Sequence, residues 1–205
     1  MASEPSSGTE LRRKGLHLLA LIIPWGMLHV QKDTAFFVLG LAGTLSLGLD
    51  LGRAYFTPVA QLVSKVGGAL MRPEETSSLR GQIVINGSTW ILITAFLLLL
   101  LFPANIASLA LVIFLLGDAA AGLIGRNYGR ISWRISNRTV EGSAAFLAVS
   151  LLAVWLWPAG IPTWIAAIAA VCACAVEILP GPFNDNLQVP LAAAGSIFIL
   201  QHLPL

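Results

Sequence analysis

Polar and apolar positions in this chain separate into long blocks rather than alternating along short segments. Seven apolar blocks recur: Gly15–Val30, Thr34–Leu51, Ile83–Phe102, Ala104–Ile124, Ser143–Trp157, Ile161–Leu179 and Leu187–Leu203. A helix needs roughly 20 predominantly apolar residues to cross a bilayer, and several of these blocks sit near the lower limit of that length. The pattern predicts an all-α fold, a polytopic membrane bundle of about seven transmembrane helices. The first block is short and carries Pro24. Between the second and third blocks, Thr57-Pro58 opens a run in which Val59, Leu62, Val63, Val66 and Leu70 recur at helical spacing. Gln61, Ser64 and Lys65 fall on the other side. This predicts an amphipathic helix lying in the interface, which bridges two spans or shelters a lipid entrance. No internal repeat or second domain is visible, so residues 1–205 read as one domain with a polar, flexible tail over 1–9.

Composition turns this pattern into a class. The chain is 57% hydrophobic and only 11% charged, with a mean hydropathy of +0.82. Soluble domains carry roughly twice that charge, and so short a chain cannot absorb this much apolar surface in a water-soluble core. The polar tail lacks an apolar region before a small-residue cleavage site, which predicts no signal peptide. Cys172 and Cys174, two residues apart in an apolar run, point to different helix faces and read as small hydrophobes.

The formal net charge of +2 hides an asymmetry. Arg12, Arg13 and Lys14 precede the first block, Arg53, Lys65, Arg72 and Arg80 lie between the second and third, and Arg126, Arg130, Arg134 and Arg138 between the fourth and fifth. With the N-terminus cytoplasmic, every one of the twelve basic residues except Lys32 falls on the cytoplasmic side, which fixes the expected orientation. The acids converge on the same face. Asp50, Asp118 and Glu177 end spans two, four and six, Glu141 and Asp185 lie in cytoplasmic connections, and Glu10 precedes span one. A transport pathway would leave ionisable groups near the bilayer midplane. Here the span centres are nearly clean, so the pattern points to a surface enzyme with its site on the cytoplasmic face.

Asp118 carries the most information. It closes an apolar run and opens Gly117-Asp118-Ala119-Ala120-Ala121-Gly122-Leu123-Ile124-Gly125-Arg126-Asn127-Tyr128-Gly129-Arg130. A carboxylate at the end of a span is costly and by default marks an ion or substrate site, although a helix cap is the plain alternative. The Gly-rich, Arg-bearing stretch after it would let backbone N–H groups and guanidinium groups approach phosphate. Further on, Asn137-Arg138-Thr139-Val140-Glu141-Gly142-Ser143 leads into span five. The N–H groups and dipole of that helix suit an anion, with Arg138 adding charge; an ordinary cap explains Thr139 or Ser143 equally well.

Four ordered motifs together resemble the polyprenol kinase family, which includes dolichol kinase, phytol kinase and the CTP-dependent diacylglycerol kinase. They are Glu10-x-x-Arg13-Lys14-x-x-His17, Gly117-Asp118-x-x-Ala121-x-x-x-Gly125-x-x-x-Gly129, Arg138-Thr139-Val140-Glu141-Gly142-Ser143, and Glu177 ahead of Asp185-Asn186-Leu187-x-Val189-Pro190. The resemblance runs from Glu10 to about Pro190. One departure stands out: the family's lysine pair before Glu-Gly-Ser is Asn137-Arg138 here, so a planar fork replaces a point donor.

The resemblance implies transfer of the γ-phosphoryl group of CTP to the hydroxyl of a membrane lipid alcohol, with Mg²⁺ and no nucleic-acid partner. Asp118 is the foremost implied metal ligand and catalytic acid residue, with Asp185 a second ligand or the acceptor of the alcohol proton, Glu177 supporting the metal cluster, and Glu141 in the catalytic set. Arg13, Lys14, Arg126 and Arg138 are implied phosphate clamps. Gly122, Gly125, Gly129, Gly142 and Ser143 would admit the nucleotide close to backbone. Glu10, His17, Asn86 and Asn186 are weaker candidates for the lipid, and His17 reads equally as an interfacial side chain. Parts of this pattern also resemble phosphatidate cytidylyltransferase (CDP-diacylglycerol synthase). Its C-terminal signature has only a faint echo in Leu179-Pro180-Gly181-Pro182-Phe183-Asn184-Asp185-Asn186, without His or Arg. A small transporter or scaffold is the non-enzymatic alternative.

Overall fold

A computed structural model of the chain describes residue 15 and residues 18–67, 82–181 and 183–203. Eight helices are present among the described residues: α1 (Ile22–His29), α2 (Lys32–Tyr55), α3 (Thr57–Gly67), α4 (Gly87–Leu101), α5 (Ala104–Tyr128), α6 (Val140–Leu156), α7 (Thr163–Ile178) and α8 (Asp185–His202). The all-α expectation holds. The tail 1–9, Glu10, Arg12, Arg13, Lys14, His17, Arg72 and Arg80 lie outside the described residues.

α5 is the axis of the bundle. From Ile106 to Leu115 every side chain is buried, and α6, α8, α1, α4 and α7 all pack against it. A helix apolar on every face is stable only when enclosed or in lipid. The outer helices show the inverse of a soluble protein. Phe37, Val38, Leu41 and Leu45 on α2, Trp155 and Leu156 on α6, and Ile199 on α8 are exposed. So extensive an apolar exterior has no place in water and calls for a covering phase.

Among the described residues, only α2 and α5 are both long and apolar enough to cross a membrane alone. The seven expected spans therefore meet a length limit. α4, α6 and α7 are apolar but have 15, 17 and 16 residues. At 1.5 Å per residue these rise only about 22–26 Å, against a hydrocarbon core of about 30 Å. Block one, expected over Gly15–Val30, gives the eight-residue α1, with Pro24 in its first turn, where a missing N–H costs nothing. The expected amphipathic segment is helical as α3, folded back on α2 so closely that a Cβ at Gly52 would stand 3.3 Å from Val59 Cγ1. Cys172 and Cys174 are free thiols.

Small residues set the closest helix crossing. A Cβ at Gly117 would come within 2.7 Å of Phe146 Cε2 and of Ser150 Oγ. One at Gly125 would be 2.8 Å from Thr139 Oγ1, and one at Gly142 would be 3.1 Å from the Ala121 carbonyl and 3.2 Å from Gly125 Cα. The backbones of α5 and α6 thus touch where side chains would hold them apart. That contact fixes the start of α6 against the last turns of α5.

Candidate active site

The polar ends of α2, α4, α5, α6, α7 and α8 meet at one end of the bundle, as the distribution of acids predicts. A hairpin-like connection follows α5. Ser132 and Thr139 form an antiparallel bridge, Val140 N–H donates to the Ile131 carbonyl at 2.8 Å, and Trp133 N–H donates to the Arg138 carbonyl at 2.9 Å. This hairpin delivers Arg138 to the mouth of α6. Arg138 Nε stands 3.1 Å from Glu177 Oε1 at the end of α7, and its Nη2 donates to Asp185 Oδ2 at the start of α8. One guanidinium therefore ties three helix ends, using the fork geometry that suits two carboxylates.

The two acids differ in environment. Glu177 is buried, at 3% side-chain exposure, whereas Asp185 is 40% exposed and also accepts from Gln188 Nε2 at 2.9 Å. Glu177 Oε2 is buried without a hydrogen-bond partner. Such an atom is costly unless something fills its coordination. The charges of Arg138, Asp118 and Asp185 all bear on Glu177. A cleft of about 240 Å³ opens beside the cluster, lined by Gly122, Gly125, Arg126, Arg138 and Ser143 among others, with Glu177 in its wall.

Hard divalent cations take carboxylate oxygens, so the unpaired Glu177 oxygen beside Asp118 and Asp185 fits Mg²⁺ in kind. Among the described residues no three His, Cys, Asp or Glu side chains form a gathered metal-holding group, and Arg138 pairs with both Glu177 and Asp185.

Several of the expected site residues also serve the fold. α5 continues as helix through Tyr128, and Gly129 N–H donates to the Gly125 carbonyl at 3.0 Å. Backbone N–H groups in this glycine-bearing stretch are thus committed to the helix rather than free for phosphate. Gly125 and Gly142 serve the helix crossing, although both also reach the cleft wall. The start of α6 has fewer free donors than a bare helix end. Val140 N–H goes to Ile131, and Gly142 N–H goes to the capping Thr139 Oγ1 at 3.1 Å. Ser143 Oγ accepts from Trp133 Nε1 at 3.1 Å. Glu141 turns to the hairpin, accepting from Ile131 N–H at 3.3 Å, away from the Arg138 cluster. Its own backbone N–H first, then those of Ile131 and Arg130 and the Arg130 charge, outweigh a partial desolvation. Together they hold its carboxyl below the usual range. Arg126 lies on the cleft wall with a partner of its own.

A second knot was not singled out by the sequence motifs. Asp50 on α2 is 2% exposed and accepts from Asn86 N–H at 2.9 Å, Asn86 Nδ2 at 2.7 Å and Thr89 Oγ1 at 2.7 Å. Arg53 Nε lies 3.5 Å away, and Arg53 Nη2 donates to the Val84 carbonyl at 2.5 Å. Asn186 Nδ2 donates to the Gly87 carbonyl at 3.1 Å, so of the weak lipid candidates Asn186 reaches the start of α4 one residue from Asn86. An acid three residues before an arginine at a span end was the available signal for Asp50 and Arg53.

The chain has relatives of known activity. Dolichol kinase of Saccharomyces cerevisiae is 27% identical over 180 residues, which are 84% of this chain but 33% of that protein. A CTP-dependent diacylglycerol kinase of Schizosaccharomyces pombe is 22% identical over 97% of this chain and 96% of its own length. These named homologues of the chain, a dolichol kinase and CTP-dependent diacylglycerol kinases, are members of the polyprenol kinase family. An uncharacterised protein of Rickettsia prowazekii is 26% identical over 95% of this chain and 96% of itself. No family model matches the chain, and no solved structure matches it. The chain thus spans a third of the length of its dolichol kinase relative and nearly all of the diacylglycerol kinase from Schizosaccharomyces pombe. The polyprenol kinase resemblance and the Arg138 cluster meet in the same residues, since Arg138, Glu177 and Asp185 belong to two of the four motifs.

Proposed function

We propose that this chain is a CTP-dependent kinase that transfers the γ-phosphoryl group to the hydroxyl of a membrane lipid alcohol. The observation that carries the reading is the Arg138 bridge between Glu177 and Asp185 at the mouth of a cleft. Phosphoryl transfer asks a protein mainly for cationic stabilisation and positioning. Arg138 supplies charge for the phosphates. Asp185, the more exposed acid, takes the alcohol proton as the oxygen attacks the γ-phosphorus, the bond to the β-phosphate breaks and CDP leaves. Asp118 and Glu177 would hold Mg²⁺, with Asp185 a second ligand in its alternative role, and the ion when bound neutralises phosphate charge. The hairpin carrying Arg138 sets the distance between nucleotide and acceptor.

We place the apolar helices in a bilayer, with the N-terminus and the site on the cytoplasmic face. The exposed apolar exterior and the basic connections support this. The acceptor is a single-hydroxyl lipid: a polyprenol such as dolichol, phytol, a related isoprenoid alcohol, or diacylglycerol.

Product analysis tests the reaction. Purified protein is incubated with γ-labelled CTP and a panel of these alcohols. Labelled lipid monophosphate with CDP supports the kinase. Pyrophosphate and CDP-lipid from phosphatidate, with alcohols inert, would replace it by a cytidylyltransferase, and no CTP turnover would leave a non-enzymatic role.

A further inference from the structure

Asp50 and Asp185 belong to helices α2 and α8, yet an unbroken series of contacts connects them. Both Asp50 oxygens are in use: one takes the Asn86 amide and the Arg53 guanidinium, the other the Asn86 N–H and the Thr89 hydroxyl. Because the Thr89 proton goes to Asp50, the Ser46 hydroxyl at 2.6 Å must donate to Thr89. The Asn86 amide has one orientation, since only its Nδ2 can face a carboxylate. That orientation leaves Asn86 Oδ1 buried without a partner. The knot satisfies Asp50 completely at the expense of Asn86, so Asp50 is the group around which it is built.

What the knot holds is the start of α4. Asn86, the residue before α4, and Thr89 in its first turn are both fixed to α2. The next carbonyl, that of Gly87, accepts from Asn186, the second residue of α8. Asn186 adjoins Asp185, which opens α8 and receives Arg138. The first turn of α8 is therefore pinned from two sides. Arg138 holds it towards α6 and α7, and the Asp50 knot, through Gly87, holds it towards α4.

We infer that Asp50 is a positioning residue that sets the place of Asp185 through Asn86, Gly87 and Asn186. The inference rests on the kinase reading for its consequence, because Asp185 is there the acceptor of the alcohol proton. Small misplacements of such a group are severe: about 1 Å can lower a rate about a hundredfold. Asp50 touches neither nucleotide nor lipid in this account.

The test compares Asp50→Asn, Asn186→Ala and the double variant, in detergent or nanodiscs, with activity expressed per folded molecule. Asn186→Ala removes one hydrogen bond from a half-buried side chain and keeps the fold should Asp50→Asn lose it. Each single change is expected to lower kcat about tenfold or more while KM for CTP stays within about twofold. The double variant should be little worse than the poorer single one, because both cut one path. Unchanged kcat in both single variants would overturn the proposal, as would losses that multiply. An activity-independent arm keeps this separate from the kinase reading. Amide exchange of residues 185–188 should quicken in Asp50→Asn, or in Asn186→Ala if that variant alone folds. Quickening confined to residues 86–89 would overturn the proposal even if the wild-type protein phosphorylated no alcohol.

Discussion

Replacing Arg138 with Met keeps much of the side chain's apolar length and removes its charge. The magnitude follows from the two acids it leaves behind. Glu177, at 3% exposure, would lose its ion-pair partner inside the bundle, and breaking a buried pair from one side typically costs about 3–5 kcal/mol. A second route limits that cost. An ordinary glutamate can be protonated at pH 7 for about 3.7 kcal/mol, so the protein will not sustain a much larger penalty. Asp185, at 40% exposure, adds at most about 1 kcal/mol because solvent screens it. The expected destabilisation is therefore about 3–4 kcal/mol, set almost entirely by Glu177. Removing that charge as well should recover it: Arg138→Met with Glu177→Gln should regain most of the stability without regaining turnover. Reversible unfolding in mixed micelles, at pH 7 and again at pH 5, measures both variants beside the wild type. The single variant's deficit should shrink at pH 5, where protonating the orphaned carboxyl is cheaper. Wild-type stability in Arg138→Met, or a double variant no better than the single one, would refute the reasoning.

Asp118→Asn should abolish turnover of CTP while the protein still inserts and folds; normal turnover in folded protein would reduce Asp118 to a structural residue. Gly142→Ala should destabilise by about 1–3 kcal/mol, measured by unfolding, because its Cβ would press on the Ala121 carbonyl and Gly125 Cα. Glu141 has a depressed carboxyl, so its hold on the Ile131 N–H is present at neutral pH and fades as pH falls through and below the usual carboxylate range. Amide exchange at Ile131 should quicken on that acid limb, and Glu141→Gln should flatten the dependence. Cysteines placed at 33 or 160 should label from outside intact cells, whereas those at 75 or 132 should not; external labelling at 75 would reverse the proposed orientation.

The helices were legible because apolar blocks and their polar interruptions are a one-dimensional signal. α5 begins at Ala104 in sequence and structure alike, and α8 begins two residues before its apolar block because Asn184 caps it. The convergence of Arg138, Glu177 and Asp185 was legible too, since acids at span ends that share a face must lie near one another. The glycines carry a second meaning. Gly117, Ala121, Gly125 and Gly129 recur every four residues, which marks a helix face made for close contact, and Gly125 also lines the cleft. The Asp50 knot was illegible. Asp50 and Asn86 are 36 residues apart, and the Asp50–Arg53 spacing gives no hint of Asn86; the packing of α2 on α4 brings them together.

The shortness of α4, α6 and α7 has a consequence for the lipid around them. Helices of 15 to 17 residues fall several ångströms short of an average hydrocarbon core. A bilayer meets such hydrophobic mismatch by thinning, at a cost of fractions of a kcal/mol per ångström. Embedded as proposed, the bundle would draw the leaflet surface inward around α4 and α6, and the headgroup layer would descend towards the ends that carry Asn86 and Arg138. A lipid alcohol whose hydroxyl floats at that depth then meets the site without being lifted out of the membrane. Thicker membranes would resist the dimple, and on the proposed reading bilayer thickness itself would then control access of the acceptor.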